Sequence, residues 1–186
     1  MIGLLPQSLE VNGREYPIRS DYRDILNIIA AFNDPDLEPG EKSFVCLLVL
    51  FKDYEEIPPK DYVEAYKKAL WFMDMGEDPE ERHSPRLMDW EQDERILFPA
   101  INSTAGFEVR SVEYLHWWTF MGYFMEIKEG TFSQVLSLRQ KKAKGKKLEK
   151  WEREYWEANK KLCTLRPRLT EQEREQKERL LKMLDG

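Results

Sequence analysis

Most hydrophobic residues of the chain recur at the three- and four-residue intervals of an amphipathic helix. The first such stripe follows Ser20, a residue suited to capping a helix, and it ends at Asn33, Asp34 and Pro35. Residues 44–51 are continuously apolar, which fits either a buried helix or a buried strand. We favour a helix there, because the neighbouring segments are helical.

One segment near the start departs from helical spacing. Asn12 and Gly13 stand between two short alternating runs, and both residues tolerate the positive φ of a type I′ turn. The pattern predicts a β-hairpin in which Leu9 faces Tyr16 and one apolar side covers a helical core. Pro17 donates no hydrogen bond, so its strand is an edge strand or ends there.

Three more helix signals follow. The stripe after Pro58 and Pro59 contains Tyr62, Tyr66, Ala69, Leu70 and Met73. Asp89 with Gln92 resembles a capping pair, and it opens a helix that Pro99 should kink or shorten. Thr131 with Gln134 matches a capping box for a further helix. Between the first two, the turn-rich residues 76–85 predict an exposed loop.

Residues 111–128 are apolar almost all round, which predicts a central helix packed by neighbours on several sides. The structural core should therefore include Trp117, Trp118, Phe120 and Phe124. Because these side chains are large, they supply much of the apolar area that offsets the conformational entropy of folding.

The composition of the sequence becomes strongly basic after residue 140. Residues 141–147 are basic with a glycine inside, which indicates a linker or frayed turn. An apolar stripe with the a/d spacing of a helix that packs on another helix then follows. It consists of Leu148, Trp151, Tyr155, Ala158, Leu162 and Leu165. Thr170 with Glu173 matches a capping box for a last, charged helix.

Together these patterns predict a mainly α protein. We expect a helical bundle that carries a short N-terminal β-hairpin and a C-terminal helical hairpin. Residues 1–140 should form the helical body, and residues 141–186 the basic linker and the C-terminal arm. No repeat of about 20 to 50 residues is visible, which argues against a solenoid.

Charge is divided unevenly along the chain. Residues 1–138 contain 13 Lys and Arg against 26 Asp and Glu, whereas residues 139–186 contain 16 against 9. The basic residues 139–150 could contact phosphates, but no aromatic residue interleaves with them and the rest of the chain is acidic. We therefore expect a protein partner with an acidic surface, including another copy of this chain, in preference to nucleic acid.

The sequence offers no recognisable catalytic or metal-binding constellation, so we expect a non-enzymatic protein without a cofactor. Its two histidines, His83 and His116, lack zinc-ligand spacing, and no nucleophile is placed to use His116 as a base. Asp89, Glu91, Asp93 and Glu94 could hold a divalent cation, but a negative first helical turn facing the helix dipole is the preferred interpretation.

The cysteine content and the length of the apolar runs indicate the cellular compartment in which we expect the protein. Two cysteines make no disulfide framework, no secretory signal is apparent, and the apolar runs are too short for a membrane span. These features predict a soluble cytoplasmic protein with free thiols.

Several short motifs together resemble one known family. They are Val11 to Ile18, Asp21 to Arg23, Asp89-Trp90 with Asp93, His116 to Phe120, Thr131-Phe132 and Leu138-Arg139. In this order they are similar to the phage gene-product-fifteen family, whose members lie among the tail-morphogenesis genes of long-tailed phages and prophages. The likeness spans roughly residues 9–165.

The resemblance implies a cytoplasmic role, in the bacterial host, like that of a tail assembly chaperone. The expected partners are the tape-measure protein, the tail tube or a companion chaperone. The resemblance implies no catalytic residues.

The alternative function is a nucleic-acid-associated regulator that uses residues 139–150. The candidate partner-binding residues are Arg139, Lys141, Lys142, Leu148, Trp151, Tyr155 and Leu162. The apolar arm could equally fold back on its own body, since either contact buries the same stripe.

Overall fold

A computed structural model describes residues 3–77 and 85–184, apart from the side chains of Leu181 and Leu184. His83 and most of the loop predicted at residues 76–85 lie outside this part of the chain. Contacts divide the chain into two compact units. Unit A comprises Met1–Pro6, Ser20–Tyr22 and Leu70–Arg166; unit B comprises Gln7–Arg19, Arg23–Ala69 and Pro167–Gly186.

The described residues are mainly helical, as the sequence predicts. The strands are β1 (Ser8–Val11) and β2 (Arg14–Pro17). The helices are α1 (Tyr22–Phe32), α2 (Pro39–Leu50), α3 (Tyr62–Met73), α4 (Glu94–Ala105), α5 (Trp117–Met125), α6 (Thr131–Ala143), α7 (Lys150–Ala158), α8 (Lys160–Cys163) and α9 (Glu171–Leu184). Single 3₁₀ turns occur at Tyr54–Glu56, Pro59–Asp61 and Val109–Ser111. Residues 44–51 therefore fall almost entirely in a helix, α2.

The N-terminal hairpin is confirmed in turn and register. Asn12 and Gly13 both have positive φ, and Leu9 lies opposite Tyr16 in the antiparallel pair β1–β2. One face of the hairpin is buried in unit B through Leu9, Val11, Tyr16 and Ile18. The sequence pattern sets this register because a shift of one residue would turn the buried side chains to solvent.

The hairpin is fixed to the end of α2 by main-chain and guanidinium hydrogen bonds. Arg19 donates from its backbone to the Leu50 carbonyl at 2.7 Å. Its guanidinium donates to the carbonyls of Leu48, Val49 and Phe51. The Leu48 and Val49 carbonyls belong to the last turn of α2 and Phe51 is its C-cap residue, so a cation there satisfies carbonyls that the helix leaves unpaired and complements the helix dipole.

In unit A, two backbone hydrogen bonds form a short antiparallel ladder between residues 20–22 and residues 115–117. Trp117 donates from its backbone to the Ser20 carbonyl at 2.7 Å, and Tyr22 donates to the Leu115 carbonyl at 3.0 Å. The Tyr22 ring stacks on Phe120 with 4.3 Å between centroids. Helix α4 packs on α5 and α6. The core of unit A therefore lies beneath α5, as the apolar run predicts.

Helix α5 is shorter than predicted. It covers Trp117–Met125 rather than residues 111–128, because the backbone before it is extended to form the ladder and His116 caps its start. The four core candidates also separate by burial: Trp117 and Phe120 are buried, whereas Trp118 and Phe124 are half-buried. The Trp118 indole still donates to the Phe72 carbonyl at 2.8 Å.

The capping box predicted for α6 is wrong, and the capping pair predicted for Asp89 with Gln92 is only half formed. Gly130, not Thr131, is the N-cap of α6, and no side chain caps it, so Thr131 already lies inside the helix. Asp89 accepts from the Gln92 amide, but the carboxylate that returns to the Asp89 amide belongs to Asp93, one residue later. Helix α4 then runs past Pro99 to Ala105 without being shortened there.

The last predicted capping box is confirmed. Glu173 donates from its backbone to Thr170 Oγ1 at 3.2 Å, and Glu173 Oε2 accepts from the Thr170 amide at 2.8 Å. By contacts, α7 and α8 group with unit A and α9 groups with unit B. None of the described helices is long and apolar enough to cross a membrane.

Replacing Trp117 by alanine should lower the free energy of unfolding by about 3–5 kcal/mol, because its buried ring would leave a cavity. Trp118→Ala should cost less, because that ring is half-buried. Urea denaturation of the two variants measures the difference. Equal losses would contradict the assignment of Trp117 as the deeper core residue.

Candidate functional site

A groove opens on the surface of unit A between α4, the α5–α6 connection and the outer face of α6. It consists of two cavities that share the residues Ile127, Phe132 and Ser133, and we call it the α6 groove. The first cavity, of about 480 Å³, is lined by Arg95, Ile96, Pro99, Ala100, Ser103, Thr104 and residues 127–133. The second, of about 400 Å³, is lined by Leu87, Phe124, Met125, Ile127, Phe132, Ser133, Leu136, Ser137 and Gln140.

The sequence produces this concave surface by placing small side chains on both walls. Pro99, Ala100 and Ser103 line one wall on α4, and Ser133 and Ser137 recur at helical spacing on α6. Between them the floor is apolar because Phe132 is buried there. At one end the Met125 side chain is 67% exposed. The small side chains of the two walls therefore leave space between α4 and α6, and solvent can enter this space above the apolar floor.

A buried arginine holds the helices that carry the groove. Both terminal nitrogens of Arg139, on α6, donate to the Asp93 carboxylate at 2.7 and 2.8 Å. Arg139 also donates to the carbonyls of Leu87, Leu162 and Cys163 at 2.9, 2.8 and 3.1 Å. A guanidinium has five N–H donors, and these five contacts use all of them. We call this set of contacts the Arg139 junction.

The junction changes the interpretation of two groups of residues. Arg139 was expected on a partner-binding surface, but its side chain is only 6% exposed and every donor is used within unit A. Asp89 and Asp93 are buried as well. Asp89 pairs with Arg86 and Asp93 with Arg139, so an arginine faces each of these two carboxylates, while Asp93 is the N-cap residue of α4 and Glu94 lies in its first turn. No metal-binding group of three or more residues occurs in the described ranges.

The arm packs against α6. Trp156 and Cys163 form a buried cluster with Val135 and Leu138. Leu148, Tyr155 and Leu162 pack on this cluster and are partly buried, whereas Trp151 is 56% exposed. Trp156, absent from the predicted a/d stripe, is the anchor. The role of these arm residues in partner binding stays a prediction. Among the large apolar side chains of the stripe, Trp151 is the one that is mostly exposed to solvent.

Lys141 and Lys142 also have contacts within unit A. The Lys141 ammonium binds the buried Glu152 carboxylate, which lowers the pKa of Glu152. The Lys142 ammonium lies 4.0 Å from the centroid of the Trp156 ring, a cation–π distance. Lys141 therefore helps to attach α7 to α6, whereas Lys142 keeps an exposed charge.

His116, in unit A, is held by two hydrogen bonds. His116 Nδ1 accepts from the Trp118 amide at 3.0 Å, and Nε2 lies 2.9 Å from the Pro6 carbonyl, which fits the Nε2–H tautomer. Burial lowers the pKa of His116. It likewise raises the pKa of the Cys163 thiol and, in unit B, that of Cys46 to about 12. These groups are engaged in the fold or poorly ionised, so we see no assembled nucleophile among them.

Comparison with known proteins places this helical arrangement in a family. The model of the family described as Bacteriophage Gp15 protein matches residues 1–165. The chain belongs to the bacteriophage Gp15 family. None of the curated proteins and none of the solved structures matches it. The Gp15 match includes the α6 groove and the complete Arg139 junction, while α9 lies beyond it.

Removing the guanidinium of the junction should be strongly destabilising. Arg139→Met should lower the free energy of unfolding by about 3–5 kcal/mol, because Asp93 would remain buried without a counter-charge. The matched control is Arg179→Met, which breaks the exposed pair with Glu175 and should cost less than about 1 kcal/mol. Chemical denaturation compares the two, and similar losses would contradict the junction's structural role.

His116 should make stability fall in mild acid. Burial lowers the pKa of His116 in the folded protein below the ordinary 6.5, so as the pH falls the unfolded chain takes up a proton at a higher pH than the folded protein does. The stability it contributes is present above 6.5 and is lost as pH falls through the folded pKa. Denaturation between about pH 7.5 and pH 5 should show a steeper decline for the wild type than for His116→Gln. Parallel profiles would contradict this.

Proposed function

We propose that this phage protein is a non-enzymatic tail assembly factor. It binds an amphipathic helix of a tape-measure or tail-tube protein in the host cytoplasm during tail morphogenesis. The α6 groove is the observation that carries this proposal. Its apolar floor, open to solvent within unit A, suits the apolar face of a helix.

The chemistry of the groove favours a helix over a small polar ligand. Its first cavity combines short hydroxyl side chains such as Ser103 and Thr104 with the exposed charges of Arg95, Lys128 and Glu129, and Thr104 donates its hydroxyl to the Ala100 carbonyl within α4. Ser133 likewise donates to the Lys128 carbonyl. These two hydroxyls therefore donate within the protein rather than into the groove, and the charged side chains suit the polar rim of a protein interface. Methionine at its rim adapts to irregular apolar surfaces, as Met125 could do here.

The groove replaces the arm as the proposed binding surface. Leu148, Tyr155 and Leu162 cover the cluster around Trp156, so a partner could reach them only by displacing α7 and α8. Met125 and Ser137, in contrast, are exposed on the groove without any such rearrangement. A long tape-measure helix would need its apolar face covered until tube subunits arrive, and a preformed groove covers such a face at little cost in ordering.

Co-expression with the tape-measure and tail-tube proteins of the same phage or prophage tests the proposal. The wild type should co-purify with one of them. Met125→Glu and Ser137→Arg should each weaken that complex at least about tenfold, by placing a charge or a bulky side chain in the groove. Isothermal titration calorimetry measures the dissociation constants.

Val63→Glu is the matched control, because Val63 is an equally exposed apolar residue of unit B, 69% exposed on α3. It should leave the affinity unchanged. Capture of neither tail protein, or groove variants that bind as the wild type does, would overturn the proposal. Circular dichroism establishes that each variant is folded before its affinity is compared.

A further inference from the structure

A strongly basic surface remains after the Arg139 junction and the Lys141–Glu152 pair are assigned. Residues 141–153 contain seven Lys and Arg against two Glu, a net charge of +5. Six of these cations form no ion pair with any carboxylate in the described ranges. They are Lys142, Lys144, Lys146, Lys147, Lys150 and Arg153, and we call them the basic surface.

Local geometry brings three of these cations, Lys142, Lys146 and Arg153, to one depression. Helix α6 ends in a tight turn at Gly145, whose φ is 66°, and Lys146 donates from its backbone to the Lys141 carbonyl at 2.9 Å. The chain then returns as α7. A depression of about 270 Å³ results, lined by Lys142, Lys146, Leu148, Arg153, Trp156 and Glu157.

The basic surface has an apolar component. Trp151 is 56% exposed on α7, next in sequence to Lys150 and two residues before Arg153. An exposed indole flanked by charged residues is the composition of a protein interface, where aromatic anchors are surrounded by a polar rim. The sequence pattern alone does not indicate this, because the a/d spacing assigns Trp151 to the buried stripe.

A protein surface rich in carboxylates fits this site better than nucleic acid. Outside residues 141–153 the chain carries a net charge of −11, the difference between −6 and +5, which repels an extended polyanion. The Trp156 ring is buried and faces the Lys142 ammonium, so Trp151 is the one of these two indoles with an open face. The Glu157 carboxylate on the wall of the depression further disfavours a phosphate chain.

Unit B carries a surface of the complementary kind. Residues 34–61 contain eight Asp and Glu against three Lys, a net charge of −5. At its centre the Phe44 side chain is 49% exposed, and its ring meets the Tyr54 ring edge-on at 5.5 Å. Asp53 and Glu55 flank Tyr54 in sequence.

Glu38 and Glu41 complete this acidic surface at the start of α2, where they form a capping box one turn before Phe44. We call Glu38, Glu41, Asp53 and Glu55, with Phe44, the acidic surface. Like the basic surface, it consists of an exposed aromatic side chain with charges mainly of one sign around it. The two surfaces are opposite in charge and similar in construction.

We propose that the basic surface of one copy of this protein docks on the acidic surface of a second copy. The contact is heterologous, since each copy contributes a different surface. A dimer therefore keeps one free basic surface and one free acidic surface, and association continues beyond a dimer unless the rotation closes a ring. This contact uses none of the α6 groove and stands independently of the proposed function.

Sedimentation velocity of the full-length protein tests this inference. The average mass should rise with protein concentration at low salt, and raising the salt from about 50 mM to 500 mM NaCl should weaken the association roughly tenfold, because the rim charges are exposed. Nuclease treatment should change nothing. Loss of the assemblies after nuclease treatment would show that nucleic acid bridges the copies and would overturn the proposal.

Charge reversal identifies the two surfaces. Lys146→Glu with Arg153→Glu, or Asp53→Lys with Glu55→Lys, should each make the protein monomeric at concentrations where the wild type associates. Mixing the two double variants should restore a complex of one copy of each, because the reversed surfaces are then complementary. Lys67→Glu with Glu10→Lys, which reverses exposed charges elsewhere, should associate as the wild type does.

A wild type that stays monomeric at every concentration at low salt would overturn the proposal. So would association that survives both double variants, or folded double variants whose mixture fails to form the complex. Circular dichroism and thermal denaturation establish the folding of each variant.

Discussion

The five donors of Arg139 organise unit A. A guanidinium buried at this depth would be strongly unfavourable without a counter-charge, and Asp93 supplies one in bidentate geometry. The remaining donors satisfy carbonyls from two other parts of the chain, before α4 and at the end of α8. Because hydrogen bonds of a planar guanidinium have fixed directions, the junction sets α4, α6 and α8 in one arrangement. The walls of the α6 groove and the position of the basic surface both depend on it.

Much of the fold follows from local chemistry and was predictable for that reason. Asn12 and Gly13 adopt positive φ, which fixes the turn and with it the register of the hairpin. Thr170 and Glu173 cap α9 as their spacing indicates, and Pro35 follows the end of α1. Residues 44–51 lie among helical neighbours, and helix was the correct choice between two local possibilities. In each case the deciding interaction spans only a few residues.

The errors occur where distant segments compete for the same groups. Residues 115–117 pair with residues 20–22, so α5 begins later than its apolar pattern suggests. Trp156 rather than Trp151 anchors the arm, because the position of α6, and not the heptad spacing, decides which face of α7 is buried. Arg139 stands in a basic run that gives no sign of its burial. Its partner Asp93 is 46 residues away. The α6 groove was likewise invisible in the sequence, since its small wall residues carry no motif.

The hydrogen bonds from Arg139 to the Leu162 and Cys163 carbonyls also determine when unit A can complete its folding during translation. While the ribosome has released only the first 140 residues, α4 and α6 can meet, but two donors of the arginine lack their carbonyls and the cluster around Leu138 lacks Trp156. The fully satisfied junction requires that residue 163 has emerged. Unit A therefore matures late in translation, and a chain interrupted before α8 would expose the apolar side of α6 to proteases and chaperones of the host.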